Sequence, residues 1–248
     1  MGLKRVIRAT INASGFDLVS LKQQKSPSLI RKPTDTSFVE VLLDEWFQKS
    51  VEEVKHLTIL DTARLANLWQ LCRWSNPEGA IIEIGSYRGG SALHLSNSCP
   101  QRQIFVCDTF EGFGALPMDA RLDRLFKRED FVDTDLASVQ RPWANKGRDV
   151  KWVKGYFPTS ASTTDIRNLS FAHIDVDLYK STIDTLEFLN TRFIDRSIIV
   201  FDDYLRNADG VMEAIREFEL ANPEWISFPL YPGQGVMFNA SWFKAKNS

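Results

Sequence analysis

The sequence predicts an α/β fold: a mostly parallel sheet of seven strands, helices on both faces and an antiparallel hairpin at the C-terminal end. Three observations carry that expectation. Five short apolar runs alternate with helical patterns through the middle of the chain, two further runs near the end are separated only by a turn, and several runs finish in glycine or aspartate.

A chain of 248 residues, 44% hydrophobic and 25% charged, is long enough to bury one large core. A net charge of −2 points to neither nucleic acid nor an anionic membrane as a general partner. The charge is uneven, however. Residues 1–34 carry seven Lys/Arg against Asp17 alone, so a basic N-terminal arm is expected ahead of a domain spanning 35–248. The arm lacks the apolar run of a signal peptide or a membrane span, and a cytoplasmic protein is expected. Cys72, Cys99 and Cys107 show neither the spacing of a disulfide framework nor that of a zinc site, which fits a reducing compartment.

The first helix is expected in "TSFVEVLLDEWFQ", where Ser37 and Glu40 form a capping-box pattern and Val39, Leu42, Leu43 and Trp46 share a face. "LTILDTARLANLWQLCRW" repeats the signal, with Thr58 and Asp61 at its start. The strand runs then follow at 80–84, 103–107, 150–153, 170–174 and 197–201. "WISFPL" and "GVMFNASWF", separated by the turn-rich "YPGQG", are read as the closing hairpin. Residues 119–149 are charged and break the alternation; they are expected to form a helical insertion acting as a lid.

"IIEIGSYRGGSALHL" places Glu83 and Gly85 at a strand end, and Gly89 and Gly90 at a helix start. Glycine lets the backbone turn and approach a ligand, and a helix start offers unpaired N–H groups. The spacing is E-x-G-x-x-x-G, the form found in class I S-adenosylmethionine-dependent methyltransferases, and not the G-x-G-x-x-G of a dinucleotide site. Ser86, Tyr87 and Ser91 fall within the same turn and helix start, and join Glu83, Gly85 and Gly89 as expected cofactor contacts. The next strand ends in Asp108, followed by Thr109; an acidic side chain there can accept hydrogen bonds from both hydroxyls of a ribose.

Asp175, Asp202 and Asp203 also stand at strand ends. If their strands are neighbours, the carboxylates crowd together, which is unfavourable unless they share a cation or a proton. An oxygen-only set suits a hard ion such as Mg²⁺, and Asp175, which ends the strand beside the Asp pair, is the expected general base. Asp177 is expected to cap the helix that follows, and His173 to be packed or hydrogen-bonded inside.

In this order "IIEIGSYRGGSA", "CDTFEGFG", "VKGYFPTS", "HIDVDLYKST" and "VFDDY" resemble the macrocin O-methyltransferase (TylF-type) family, over roughly residues 35–240. The resemblance implies a Rossmann-like class I methyltransferase fold, S-adenosylmethionine and Mg²⁺ as cofactors, and a homo-oligomer. It implies an acceptor with a sugar hydroxyl, on a small molecule or a glycan. Family metal ligands fall on Asp175, Asp202 and Asp203, and cofactor contacts extend to Gly155, Tyr156, Phe157 and Asp175. The chain departs from the family at Pro158, Thr159 and Ser160, where an Asp-Thr pair is frequent, so the adenine contacts are left open.

Other readings stand beside this one. Catechol-type and caffeoyl-CoA-type methyltransferases also use acidic strand ends and Mg²⁺, but typically carry Asp-Asn where this chain has Asp202-Asp203. A nicotinamide-dependent oxidoreductase is disfavoured by the glycine spacing, and a non-catalytic binding scaffold by the presence of all three aspartates.

Overall fold

The computed structural model describes residues 41–205, 209–239 and 242. The basic arm, the Ser37 and Glu40 capping pattern, and Val39 lie outside the described residues. Seven strands form one sheet in the order β3-β2-β1-β4-β5-β7-β6: β1 Ala80–Ile84, β2 Ile104–Asp108, β3 Val150–Lys154, β4 Leu169–Ile174, β5 Phe193–Phe201, β6 Trp225–Leu230 and β7 Gln234–Asn239. The first five pair in parallel, and β7 runs antiparallel to both β5 and β6, as the sequence predicts. Each apolar run becomes a strand. Two differ appreciably: β5 begins at Phe193 rather than 197, and β7 ends at Asn239 rather than 243.

Apolar residues fill both faces because successive strand side chains point to opposite sides. Ile81, Val106, Phe171, Ile198 and Val200 face one core with helices α1 Glu45–Val54, α2 Thr62–Trp74 and α3 Gly90–Ser98. Their strand neighbours Ile82, Phe105, Ala172, Ile199 and Phe201 face the other, with α5 Tyr179–Leu189 and α6 Asp209–Ala221; the short α4 is Leu136–Gln140. Full burial of one such side chain stabilises the fold by ~1.5–3 kcal/mol.

Three local expectations are corrected. Asp44 accepts hydrogen bonds from the N–H groups of Trp46 (2.8 Å) and Phe47 (3.2 Å) and starts α1 there. This cap resets the helical phase. The buried face becomes Phe47, Ser50 and Val54, while Leu43 and Trp46 are 69% and 74% exposed.

Residues 119–149 are not a helical insertion: they hold only α4 and one 3₁₀ turn, Arg141–Trp143. Aspartates in this stretch satisfy the backbone locally and so compete with helix. Asp119 Oδ1 accepts from Arg121 N (2.9 Å) and Leu122 N (2.8 Å), and Asp130 Oδ2 from Lys127 N (2.8 Å).

Asp177 does not cap α5 either. It adopts a left-handed backbone (φ 59°), and the N–H of Tyr179, the first residue of α5, donates instead to Asp123 Oδ1 at 2.9 Å. Asp123 comes from the insertion, is 2% exposed, and also accepts from Asp119 N at 2.7 Å. The insertion is therefore pinned to the helix that follows the β4 tip.

Candidate active site

The carboxyl ends of β1, β2, β4 and β5 open on one cleft, and the chain order reverses between β1 and β4 at its floor. Open parallel sheets bind ligands at such a reversal. Backbone atoms clasp the two strand tips together. Gly85 has φ 84°, and a Cβ there would fall 1.8 Å from the Asp175 carbonyl oxygen, so no side chain is admissible. Gly90 also packs on the loop between α1 and α2, where a Cβ would fall 2.6 Å from Leu57 O, and donates its N–H to that oxygen at 3.2 Å.

Asp108 joins the glycine turn to β2. Its Oδ2 accepts from the N–H groups of Ser86 (2.7 Å) and Tyr87 (2.8 Å), and its Oδ1 from Phe110 N (2.7 Å). Thr109 Oγ1 lies 3.3 Å from Oδ1, but sits closer to Gly112 O, at 2.8 Å. With its single hydrogen spent on that carbonyl, Asp108 Oδ1 keeps lone-pair capacity for a hydroxyl in the cleft.

Among the sequence-predicted cofactor residues, Gly85, Ser86, Tyr87 and Ser91 line the cleft, as do Asp108 and Thr109. Gly155, Tyr156 and Phe157 form the wall beyond β3. Two expected contacts are not on it. Glu83 is fully buried one residue behind the turn, where its Oε1 is 2.8 Å from His173 Nδ1. Gly89 is the left-handed N-cap of α3 (φ 79°) and is wedged against Val139.

The acidic residues separate into two sets. Carboxylate oxygens of Asp175, Asp177 and Asp203 lie within 4.8 Å of one another, an all-oxygen group suited to a hard cation. A second group joins Asp175 to Asp202 and His173 within the same distance. Asp202 is already engaged: its Oδ2 pairs with Arg64 Nη1, and its Oδ1 accepts from Gln234 Nε2 at 3.0 Å. Burial raises the pKa of Asp175 well above the ordinary carboxylate range, and the charges of Asp202, Asp177 and Asp203 push it further. Burial and the Asp203 carboxyl do the same to Asp177, and burial also raises Asp202 against the opposing influence of His173 and Arg64.

Sequence reasoning missed several members of this site. Asp177 carries a partial signal, since Asp175 and Asp177 flank one residue, but its left-handed backbone is not readable from the sequence. Arg64 carries none: it is an ordinary helix arginine 138 residues from its partner. Phe113 and Phe131 also line the cleft, with ring centroids 5.2 Å apart, and Phe131 stands edge-on to Tyr87.

Comparison with known proteins agrees with this geometry. The chain is 26% identical over 183 residues to demethyldecarbamoylnovobiocin O-methyltransferase of Streptomyces niveus, covering 66% of this chain and 70% of that protein. It is also 26% identical, over 56% of its length and 58% of the relative's, to 8-demethyl-8-(2,3-dimethoxy-alpha-L-rhamnosyl)-tetracenomycin-C 4'-O-methyltransferase of Streptomyces olivaceus. Among solved structures, the O-methyltransferase NovP superposes with a TM-score of 0.65 at 21% identity, covering 74% of this chain and 82% of that one. The shared fold is the class I methyltransferase fold. Residues 51–231, which include the glycine turn, Asp108 and all four cleft aspartates, match the macrocin-O-methyltransferase (TylF) family as a whole, and the chain belongs to that family of O-methyltransferases.

Proposed function

We propose that this chain transfers a methyl group from S-adenosylmethionine to a sugar hydroxyl of a natural product or glycan, with Mg²⁺ held at the aspartate cluster. One observation carries the reading: a single cleft joins the glycine turn and Asp108 at one end to four carboxylates at the other. The two relatives' names, which specify O-methylation of a novobiocin intermediate and of a rhamnosyl tetracenomycin, support the acceptor class.

The residues present fit the methyl donor. Ser86 Oγ and Thr185 Oγ1 are buried, belong to residues that line the cleft, and have no protein partner, as expected of groups that meet a polar ligand. S-adenosylmethionine supplies an electrophilic methyl carbon on a sulfonium. Asp108 would hold the ribose through its free lone pair while its other bonds keep the turn in place. Tyr156 cannot swing freely, because its hydroxyl donates to Asp184 Oδ2 at 2.7 Å.

The donor set also fits Mg²⁺, with one change from the expected ligands. Asp175 and Asp203 would hold it, and Asp177 stands where Asp202 was expected, because Asp202 is committed to Arg64 and Gln234. Bound there, Mg²⁺ would neutralise crowded carboxylates and acidify an adjoining hydroxyl. Asp175 is the proposed proton acceptor, because it stands at the β4 tip within the cluster and lines the cleft where an acceptor hydroxyl would meet the cation. Asp177 shares that environment and is the competing acceptor. Residues 119–149 would cover the acceptor, with Phe131 against its apolar part.

The test is transfer of labelled methyl from S-adenosylmethionine to macrolide glycosides, nucleotide sugars, polysaccharide ends and catechols, with Mg²⁺ or with chelator. Labelled sugar formed only with Mg²⁺ is the expected result. Full activity in chelator removes the metal from the mechanism, and transfer to catechols alone replaces the sugar acceptor.

A further inference from the structure

We propose that Cys72 and Cys99 form a thiol-oxidation site, which a hydroperoxide converts to an intramolecular disulfide. Their sulfurs are 3.8 Å apart. Cys72 lies in the last turns of α2 and Cys99 is the residue that ends α3. Both belong to the core on the α1–α3 side of the sheet, whereas Cys107 is buried in β2 on the opposite face. The chain thus contains its own unreactive control.

Arg102 completes the site. Its Nη1 lies 3.8 Å from Cys72 Sγ and 3.9 Å from Cys99 Sγ. The guanidinium is fixed there by Cys72 O (3.0 Å), Ser75 Oγ (3.0 Å) and, through Nε, Gly79 O (2.7 Å). A fixed cation beside a thiol favours the thiolate, the form that attacks peroxides. Contact with Cys72, helped by Arg102, brings Cys99 down to about 6, while burial pushes Cys72 well up. Burial divides the roles in the same way: Cys99 is half-buried, whereas Cys72 is fully buried.

The chemistry balances. The Cys99 thiolate attacks one peroxide oxygen, the O–O bond breaks, and the departing oxygen takes a proton and leaves as alcohol or water. The resulting sulfenic acid is attacked by the Cys72 sulfur; the S–S bond forms, the S–O bond breaks, and hydroxide leaves as water with the Cys72 proton. Two thiols lose two electrons, and one hydroperoxide is reduced. The new bond would staple the far ends of two helices whose near ends serve the cleft, since α2 carries Arg64 and α3 starts at the glycine turn. Closing this 27-residue separation restricts the unfolded chain.

The experiment exposes the folded full-length chain to hydrogen peroxide, alkylates the remaining thiols and maps the peptides. The expected products are a Cys72–Cys99 linked peptide and an alkylated Cys107, with a melting temperature ~5–15 °C above that of the reduced protein. Cys72→Ser should stop at a Cys99 sulfenic acid trapped by dimedone, Cys99→Ser should form neither product, and Cys107→Ser should oxidise like the wild type. The proposal is overturned if no linked peptide forms at peroxide levels that spare Cys107, or if Cys107 reacts as fast as Cys99.

Discussion

The two ends of the central sheet bury charge in opposite ways. At the amino end, Arg102 reaches Gly79 O, Cys72 O, Ser75 Oγ and Ser170 Oγ, and Ser170 Oγ in turn donates to Asn76 O at 2.6 Å. The helix layer has a similar network, in which His94 lies between Ser50 Oγ (2.8 Å) and Leu65 O (3.1 Å). At the carboxyl end, Asp175, Asp177 and Asp203 crowd together, and of the cleft carboxylates Arg64 pairs directly with Asp202. Polar groups that the protein satisfies by itself are architecture. Carboxylates that it leaves mutually repelling cost stability, and a partner from outside the chain is what would offset that cost.

The largest expected break in this comparison is a pair of variants with opposite profiles. Asp175→Asn should lower turnover by ~10²–10⁴-fold and leave the melting temperature unchanged or higher, because it removes a basic oxygen and a repelling charge together. Arg102→Met should do the reverse, costing ~2–4 kcal/mol in denaturant titration with activity per folded molecule nearly intact. A loss of stability in Asp175→Asn equal to that of Arg102→Met would erase the distinction.

His94 gives the next effect. Burial lowers its pKa from the ordinary imidazole value of 6.5 to about 4. A base with a depressed folded pKa contributes stability that is present above about pH 6.5 and lost as pH falls toward 4, ~3 kcal/mol in all. Urea midpoints measured across that range should fall for the wild type and run flatter for His94→Gln.

Asp108 stands between the two behaviours, since it is bonded by the backbone yet faces the cleft. Asp108→Asn should weaken S-adenosylmethionine binding by ~10–100-fold, corresponding to ~1.5–3 kcal/mol, as read by calorimetry. Unchanged affinity would make Asp108 purely a latch for the glycine turn.

The smallest effect concerns pH and the cation. Raised carboxylate pKa values favour the folded state at low pH, and that advantage is lost as pH climbs past them. Mg²⁺ must displace the protons held there, so its affinity, measured by calorimetry, should tighten several-fold between about pH 5.5 and 8. Asp177→Asn should weaken Mg²⁺ binding more than Asp202→Asn. The opposite order would return Asp202 to the ligand set.

Much of the architecture was legible residue by residue. Short apolar runs bounded by turns read as buried strands rather than helices, so all seven strands and the final hairpin could be placed, and glycine and aspartate at their ends located the cleft. The family resemblance was legible too, because it rests on short motifs in a set order. What escaped was local phase and distant partnership. Asp44 caps α1 inside the expected helical stretch and turns a different face inward, and aspartate side chains in 119–149 satisfy the backbone that a helix would have used. The helix after β4 takes its cap from Asp123, 56 residues away, which frees Asp177 for the cluster. Arg64 claims Asp202 across 138 residues, and the two thiols meet between helices that the sequence treats as separate. A residue's own preferences act over a few neighbours and are written in the chain. Which carboxylate meets which cation depends on how the helices and the insertion close over the strand ends, and only the packed structure determines that.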